Sequence, residues 1–327
     1  MFSFVGRRLA SMLITLVLIS LVGFALIELT PGSYLDLELH RLQSFGGVLN
    51  AEQIKTLEIR YGVNDPIYTK YWKWISGVAH GDFGDSFEYH RPVGELIWGR
   101  LAYSFLLSGS TLLFAWLVAI PIGVYSATHR YTLPDYVVTI FQFAGIAIPD
   151  FLLALVLLVF AVRNLNADIG GLFSAAYVTA PWSWGKFVDL LSHLWIPVVV
   201  ISASSTAWLT RVMRANLLDV LNMPYVQTAR AKGLREFVVI WKHAVRNALH
   251  PLVMALGGVL PALISGEVIV AIVLNLPTVG PLYVNALLQK DMYLAITVLV
   301  LLAAALVIGN LLADLLLAVV DPRVVLE

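Results

Sequence analysis

Apolar residues in this chain gather into long runs, not into the alternation of a half-buried strand or the three-to-four-residue period of a surface helix. Roughly 20 apolar residues at ~1.5 Å rise cross a ~30 Å hydrocarbon core as an α-helix. Six stretches reach that length, approximately Leu9–Leu29, Leu101–Thr128, Tyr136–Val162, His193–Val212, Pro251–Leu274 and Met292–Val320. The pattern predicts an all-α integral membrane protein with about six transmembrane helices. Arg7 and Arg8 precede the first run as in a secretory leader, but the run is too long and "IELTPGS" offers no small-x-small cleavage site, so it reads as an uncleaved span. In the third run Pro149 lacks a backbone donor, which favours a break.

Composition agrees with the pattern. Of 327 residues, 59% are hydrophobic and 13% charged, against about 25% charged in soluble domains. The formal net charge is zero, so no global basicity points to nucleic acid. Cysteine is absent, which excludes disulfides, thiol catalysis and cysteine metal sites.

Lysine and arginine in the short connections set the orientation. Arg7, Arg8, Arg130 and Arg323 fall on one side with the segment carrying Arg214, Arg230, Lys232, Arg235, Lys242 and Arg246; the other short connections hold Arg163, Lys186 and Lys290. Both termini are expected in the cytoplasm. Residues 1–30 then form a tail and first helix, 31–100 an extracytoplasmic segment, and 101–327 a five-helix core with a cytoplasmic loop at 214–250. Aromatics and turn signals in 31–100 predict an ordered cap with a helix at Ala51–Arg60, and Trp72, Trp74 and Trp98 suit the interfacial belt.

The loop "YVQTARAKGLREFVVIWKHAVRNALHPLV" is basic yet patterned. Pro224 can open a helix and Gly233 can close it in a left-handed conformation. Val226, Ala229 and Leu234 lean to one side, with Gln227, Arg230 and Lys232 toward the other. A second helix follows into Pro251. Basic residues resting on anionic headgroups would explain the charge; a docking element would explain the helix–glycine–helix form as well.

Charged residues at mid-membrane cost roughly 2.5–3.5 kcal/mol on insertion scales and by default mark a pathway. Asp150, after Pro149, and Glu267, beside Gly266, are the candidates; each also fits a structural partner of a buried donor. Arg211 and Arg214 are placed to snorkel. Gln142 and Asn310 are expected to bond across helices. The nucleotide-binding pattern GxxxxGK[ST] is absent, as are HExxH and GxSxG, so the chain carries no ATPase site and reads as a non-enzyme. "LLSGST" raises a serine nucleophile, but His193 has no orienting motif to act as its base.

"TARAKGLREFVVIWKHAVRNALHP" (Thr228–Pro251) resembles the signature loop of bacterial ABC importer permeases, in the dipeptide, oligopeptide and nickel branch. "GDFGDSFEYHRPVGELIWGRL", "IPIGVYSA", "LPTVGPLYVNALLQKDMYLA" and "LLADLLLAVVDPRV" resemble further parts of that branch, in the right order. The resemblance implies a type I importer permease fold and alternating access. It makes Tyr225, Gln227, Thr228, Ala229, Arg230, Ala231, Lys232 and Gly233 the coupling helix for a cytoplasmic ATPase. Ala229 and Ala231 would allow close approach, and Arg230 and Lys232 would supply charged contacts. Implied partners are a homologous second permease, two ATPase subunits or a heterodimer of them, an extracytoplasmic solute-binding protein and membrane lipid, with no nucleic acid. ATP and Mg would be held by the ATPases, and no cofactor or metal by this chain. The general signature opens with Glu-Ala-Ala where this chain has Gln227, Thr228 and Ala229, and closes with proline where it has Arg246. Relatives carry a small polar residue where Asp150 stands and a glutamate nearer Ala271. Asp314 and Asp321 recur in the closing segment as structural or gate residues.

For the solute, peptide and oligosaccharide rank nearly equal, because "SGEVIVAIVLNLPTVGPL" resembles oligosaccharide-associated members; nickel falls behind for want of clustered intramembrane histidines. A membrane scaffold whose loop binds a non-ATPase partner is the alternative from another class, and a secondary transporter a third.

Overall fold

Backbone groups inside hydrocarbon have no water to bond, so a chain of long apolar runs satisfies them within helices. The computed structural model describes residues 2–32, 34–44, 55, 65–165 and 170–320, without the side chains at 2–5, 7, 40–44, 255–266 and 313–320. Among the described residues the regular elements are helical, with one isolated bridge between Asp85 and Pro92. In chain order they are α1 (Phe2–Leu29), α2 (Tyr34–Ser44), α3 (Ile67–Ala79), α4 (Val93–Thr128), α5 (Leu133–Ala147) and α6 (Asp150–Leu165). Then come α7 (Trp184–Leu221), α8 (Pro224–Ala231), α9 (236–248, with a π-helical turn at Val239–Ala244), α10 (His250–Val273), α11 (Val279–Leu288) and α12 (Met292–Val320). The predicted helix Ala51–Arg60, apart from Lys55, and the side chains of Asp314 and Asp321 lie outside the described residues.

Stretches Arg8–Leu39, Val93–Thr128, Trp184–Leu221 and Met292–Leu312 are each long and apolar enough to cross a membrane. The 24 residues of α10 occupy the fifth predicted run. The third predicted run departs from a single rod. It is two helices, α5 and α6, meeting at an angle of 108°. Ile148 is extended (φ −81°, ψ 122°) because the following proline ring excludes the helical region for it.

The chain divides into two compact units, Met1–Tyr103 with Thr278–Val307, and Ser104–Pro277 with Ile308–Glu327. In the first, the segment after α1 folds against α1 and the start of α12 around Phe24, Trp74, Met292 and Ile296. Trp72 and Trp98 are exposed as expected, but Trp74 is a core residue: its ring lies 6.1 Å from Phe24 and its indole N–H donates to Thr297 at 3.2 Å. Lys70 pairs with Glu28 at 2.5 Å, and the hydroxyls of Ser20 and Tyr71 meet at 2.9 Å.

Asp291 closes this unit. Fully buried before α12, its carboxylate accepts from the Ser86 hydroxyl at 2.5 Å, the Glu88 N–H at 3.2 Å and the Leu294 N–H at 3.4 Å. It thus caps a helix and ties down residues 84–92, where Tyr89 also accepts from Asn285 at 2.8 Å. Burial pushes the Asp291 carboxyl above the usual aspartate range, with the Ser86 bond opposing.

The second unit centres on Ala115, Ala119, Leu209, Met213, Leu217, Val245, Ala248 and Leu252, from α4, α7, α9 and α10. Gly145 of α5 lets that helix lie against α7, since a Cβ there would stand 3.2 Å from Ala207 and 3.3 Å from the Ala203 carbonyl oxygen.

Asp291→Ala is expected to destabilise the protein by about 2–4 kcal/mol, by stranding a buried hydroxyl and backbone donors. It should lower the thermal unfolding midpoint in detergent; an unchanged midpoint refutes the tie. Because the folded carboxyl holds its proton more tightly than the unfolded one, its contribution is full at low pH and is lost as pH rises from 3.8 upward. Asp291→Asn should flatten that slope.

Candidate functional site

The basic loop begins where α7 ends at Leu221. Met223 is extended, Pro224 supplies the first residue of α8, and the helix stops at Ala231. Gly233 follows with φ +73°. Nothing lies within 4 Å of where its Cβ would stand, so a side chain there is opposed by the backbone alone. An eight-residue helix is too short to hold itself. Its inner face, Val226 and Ala229, is buried among Leu217, Val239, Ala244, Val245 and Ala248. In an α-helix residues five apart point about 140° away from each other. The π turn of α9 brings both Val239 and Ala244 into that core.

Of the residues assigned to docking, Tyr225, Gln227, Thr228, Ala231, Lys232 and Gly233 are exposed. Two assignments change. Ala229 faces its own core, because its side of the short helix is what anchors it. Arg230 turns back across Gly233 to Glu236, with Nη2–Oε1 at 2.6 Å and Nε–Oε2 at 3.2 Å. That bond holds the Glu236 carboxyl below its usual range. Leu234 is exposed instead of sharing the apolar side with Val226. Tyr225 accepts a hydrogen bond from Asn247 at 2.7 Å, tying α8 to α9. Outward, Met223, Tyr225, Leu234, Phe237 and Trp241 present an apolar and aromatic surface.

The two candidate path carboxylates stand apart in their contacts. Asp150 begins α6, where a negative charge suits the helix N-terminus. The Ser204 hydroxyl of α7 lies 3.1 Å from Asp150 Oδ1 and 3.1 Å from the Gly145 carbonyl oxygen, bridging the break. Glu267 of α10 is 2% exposed and accepts from Ser108 of α4 at 3.3 Å, with Ser104 as a further donor. Ser108 is thus bonded to a carboxylate, and His193 places Nδ1 2.7 Å from the Asp189 carbonyl oxygen of its own helix.

Comparison with known proteins settles the family. Residues 119–326 match the model of the binding-protein-dependent transport system inner membrane component, and residues 1–108 match its N-terminal companion. The chain belongs to that family. The permease is 36% identical to the oligopeptide transport system permease protein AppB of Bacillus subtilis, over 99% of both chains. It is 31% identical to OppB of Salmonella typhimurium, again over 99% of both, and 33% identical to a putative peptide permease of Brucella ovis over 94% of both. It is accordingly an inner-membrane permease subunit of a binding-protein-dependent importer.

Several polar groups take roles that the sequence did not signal. Arg214 does not snorkel. Its Nε and Nη2 donate to the two oxygens of Asp135 at 3.0 and 2.9 Å, and Nε also reaches Ser126 at 3.0 Å. Asp135 is 3% exposed, accepts from the Ser126 hydroxyl, and takes the Tyr131 N–H at 2.9 Å. This cluster clamps the α4–α5 turn to α7, within three turns of α8. Only the "TLPDY" helix start hinted at Asp135. Arg211 lies over the Phe143 ring, 5.0 Å from its centroid. Among the described residues the expected cross-helix bonds of Gln142 and Asn310 are not seen: the Gln142 amide nitrogen is buried with no partner, and Asn310 is exposed.

Asp135→Ala should leave the Arg214 guanidinium unpaired at a cost of about 3 kcal/mol. Asp135→Leu combined with Arg214→Met should recover most of that loss. A double-mutant cycle on thermal stability checks it, and additive losses would show that the two side chains are not coupled.

Proposed function

We propose that the permease forms half of the translocation path of an ATP-driven peptide importer. A homologous permease completes the path, two ATPase subunits dock on the Tyr225–Gly233 loop, and an extracytoplasmic binding protein delivers solute over residues 31–100. ATP and Mg belong to those ATPases. The observation that carries this reading is the construction of α8: small inner residues buried in the α4–α7–α9 core, and an outward surface of Met223, Tyr225, Leu234, Phe237 and Trp241. A short helix pinned this way passes the movement of a docked partner into long helices as a rigid displacement. Ala231 and Lys232 meet the ATPase directly, while Ala229 and Arg230 keep the helix in shape. The named peptide permeases over nearly the full length favour peptide above oligosaccharide as the solute.

Asp150 and Glu267 belong to the wall of the path in this reading. Their serine partners, Ser204 and Ser108, hold them in place in the wall and release them as it rearranges.

Purification of the complex from native membranes in mild detergent should recover a second permease and ATPases, and proteoliposomes of it should take up labelled peptides with ATP. Gly233→Val should leave ATPase activity present but reduce uptake by at least about tenfold, since it opposes the left-handed backbone that aims α8. Normal uptake in that variant sinks the docking assignment. Glu267→Gln should assemble normally and change the rate of peptide uptake; an unaltered rate removes Glu267 from the path.

A further inference from the structure

The α5–α6 break does more than bend a span. Beside it, between α4, α5, α6 and α7, lies a cavity of about 470 Å³, lined by Phe114, Gly145, Ile148, Leu153 and Ala203 among others. Its wall is largely apolar, and the residues lining it carry no charge. Two polar atoms stand in that wall without a hydrogen-bond partner among the described residues: the Gln142 amide nitrogen and the Thr206 hydroxyl. Gln142 is only 6% exposed. An unpaired buried amide is costly and calls for an explanation, of which a group that completes it is one. Non-helical backbone at membrane depth is likewise tolerated where it lines a cavity.

We propose that this cavity is a solute subsite that receives an aliphatic or aromatic side chain of the transported peptide, while the adjoining peptide carbonyl accepts from Gln142 and Thr206 bonds the same main-chain unit. The inference rests on the peptide-importer reading and deepens it. The chemistry selects the occupant. A sugar would bring many hydroxyls to a wall with few polar atoms, where the Ser202 and Thr210 hydroxyls already donate to backbone carbonyls of their own helix, and a charged side chain would meet no opposite charge among the lining residues. A lipid acyl chain would leave Gln142 unpaired. The volume is within the ~300–1,000 Å³ of pockets that enclose small ligands, and the amide fixes orientation where the apolar wall gives affinity.

The test uses the complete importer in proteoliposomes with tripeptides that differ only in a central Gly, Leu or Phe. Ala203→Leu, which narrows the cavity, should lower the Phe-to-Gly uptake ratio about tenfold. Gln142→Leu should lower uptake of all three about tenfold, because each presents the same carbonyl. Independently of any variant, a peptide carrying a benzophenone side chain should label wild-type residues within 114–153 or 199–210. Wild-type uptake with an unchanged ratio in Ala203→Leu and no label in those segments overturns the subsite while the importer reading stands. Labelling there by a photoreactive fatty acid that saturating peptide does not displace also overturns it, as does a permanent cross-link from Ile148 to the second permease. No uptake of any of the three peptides by the wild-type complex removes the importer reading and this subsite with it.

Discussion

In hydrocarbon a backbone carbonyl or N–H that leaves a helix finds no water, and each orphan costs several kcal/mol. That constraint accounts for the helices of this permease, and it also accounts for what happens where a helix fails. Pro149 cannot donate, so α5 ends and α6 begins at a steep angle, and Ser204 reaches across to a carbonyl on one side and a carboxylate on the other. The same device recurs at the buried acids. Asp135 has Ser126, Glu267 has Ser108 and Asp291 has Ser86. A serine hydroxyl is small enough for close helix packing and donates without adding a charge of its own. For Glu267 and Asp291 the serine donates where the structure gives the acid no salt bridge among the described residues, whereas Asp135 has Arg214 as well.

The loop between α7 and α10 meets a related demand at the edge of the helical core. Its first helix is too short to persist by propensity, so packing must hold it. Val226 and Ala229 provide that hold, Tyr225–Asn247 adds a lateral bond, and Arg230–Glu236 spans the Gly233 turn. The exposed pair contributes at most about 1 kcal/mol, so its value is geometric more than energetic. The result is a surface of aromatic and apolar side chains whose position is tied to α7 through Leu217 and to α4 through Ala119 and Val124. The Asp135–Arg214 clamp also joins the same two long helices nearby, since Arg214 of α7 donates to Ser126 of α4.

Much of this was legible from residue order. Runs of apolar residues located the long helices, Pro149 located the break, and Pro224 and Gly233 bracketed α8. Side-chain partners were not legible. Arg214 at a helix end and Trp74 among interfacial tryptophans both looked like lipid-facing residues, and both are enclosed. Nothing local distinguishes them: a snorkelling arginine and a clamping one have the same neighbours in sequence, and only the element packed alongside decides. Gln142 erred in the opposite direction. An amide in a span is expected to find a partner across the interface, but here the neighbouring helices diverge at the break and leave it facing a cavity.

Hydrophobicity and backbone hydrogen bonding act over a few residues, so the sequence by itself determined the helical class, the approximate runs, the break and the left-handed stop at Gly233. Tertiary structure alone decided who meets whom: Arg214 with Asp135 across 79 positions, Ser108 with Glu267 across 159, and Ser86 with Asp291 across 205. It also turned Leu234 outward, against the simple helical projection that grouped it with Val226 and Ala229. Those outcomes follow from which helix faces lie together, and a helix face is chosen by the shape and polarity of its neighbour, which no single stretch of chain contains.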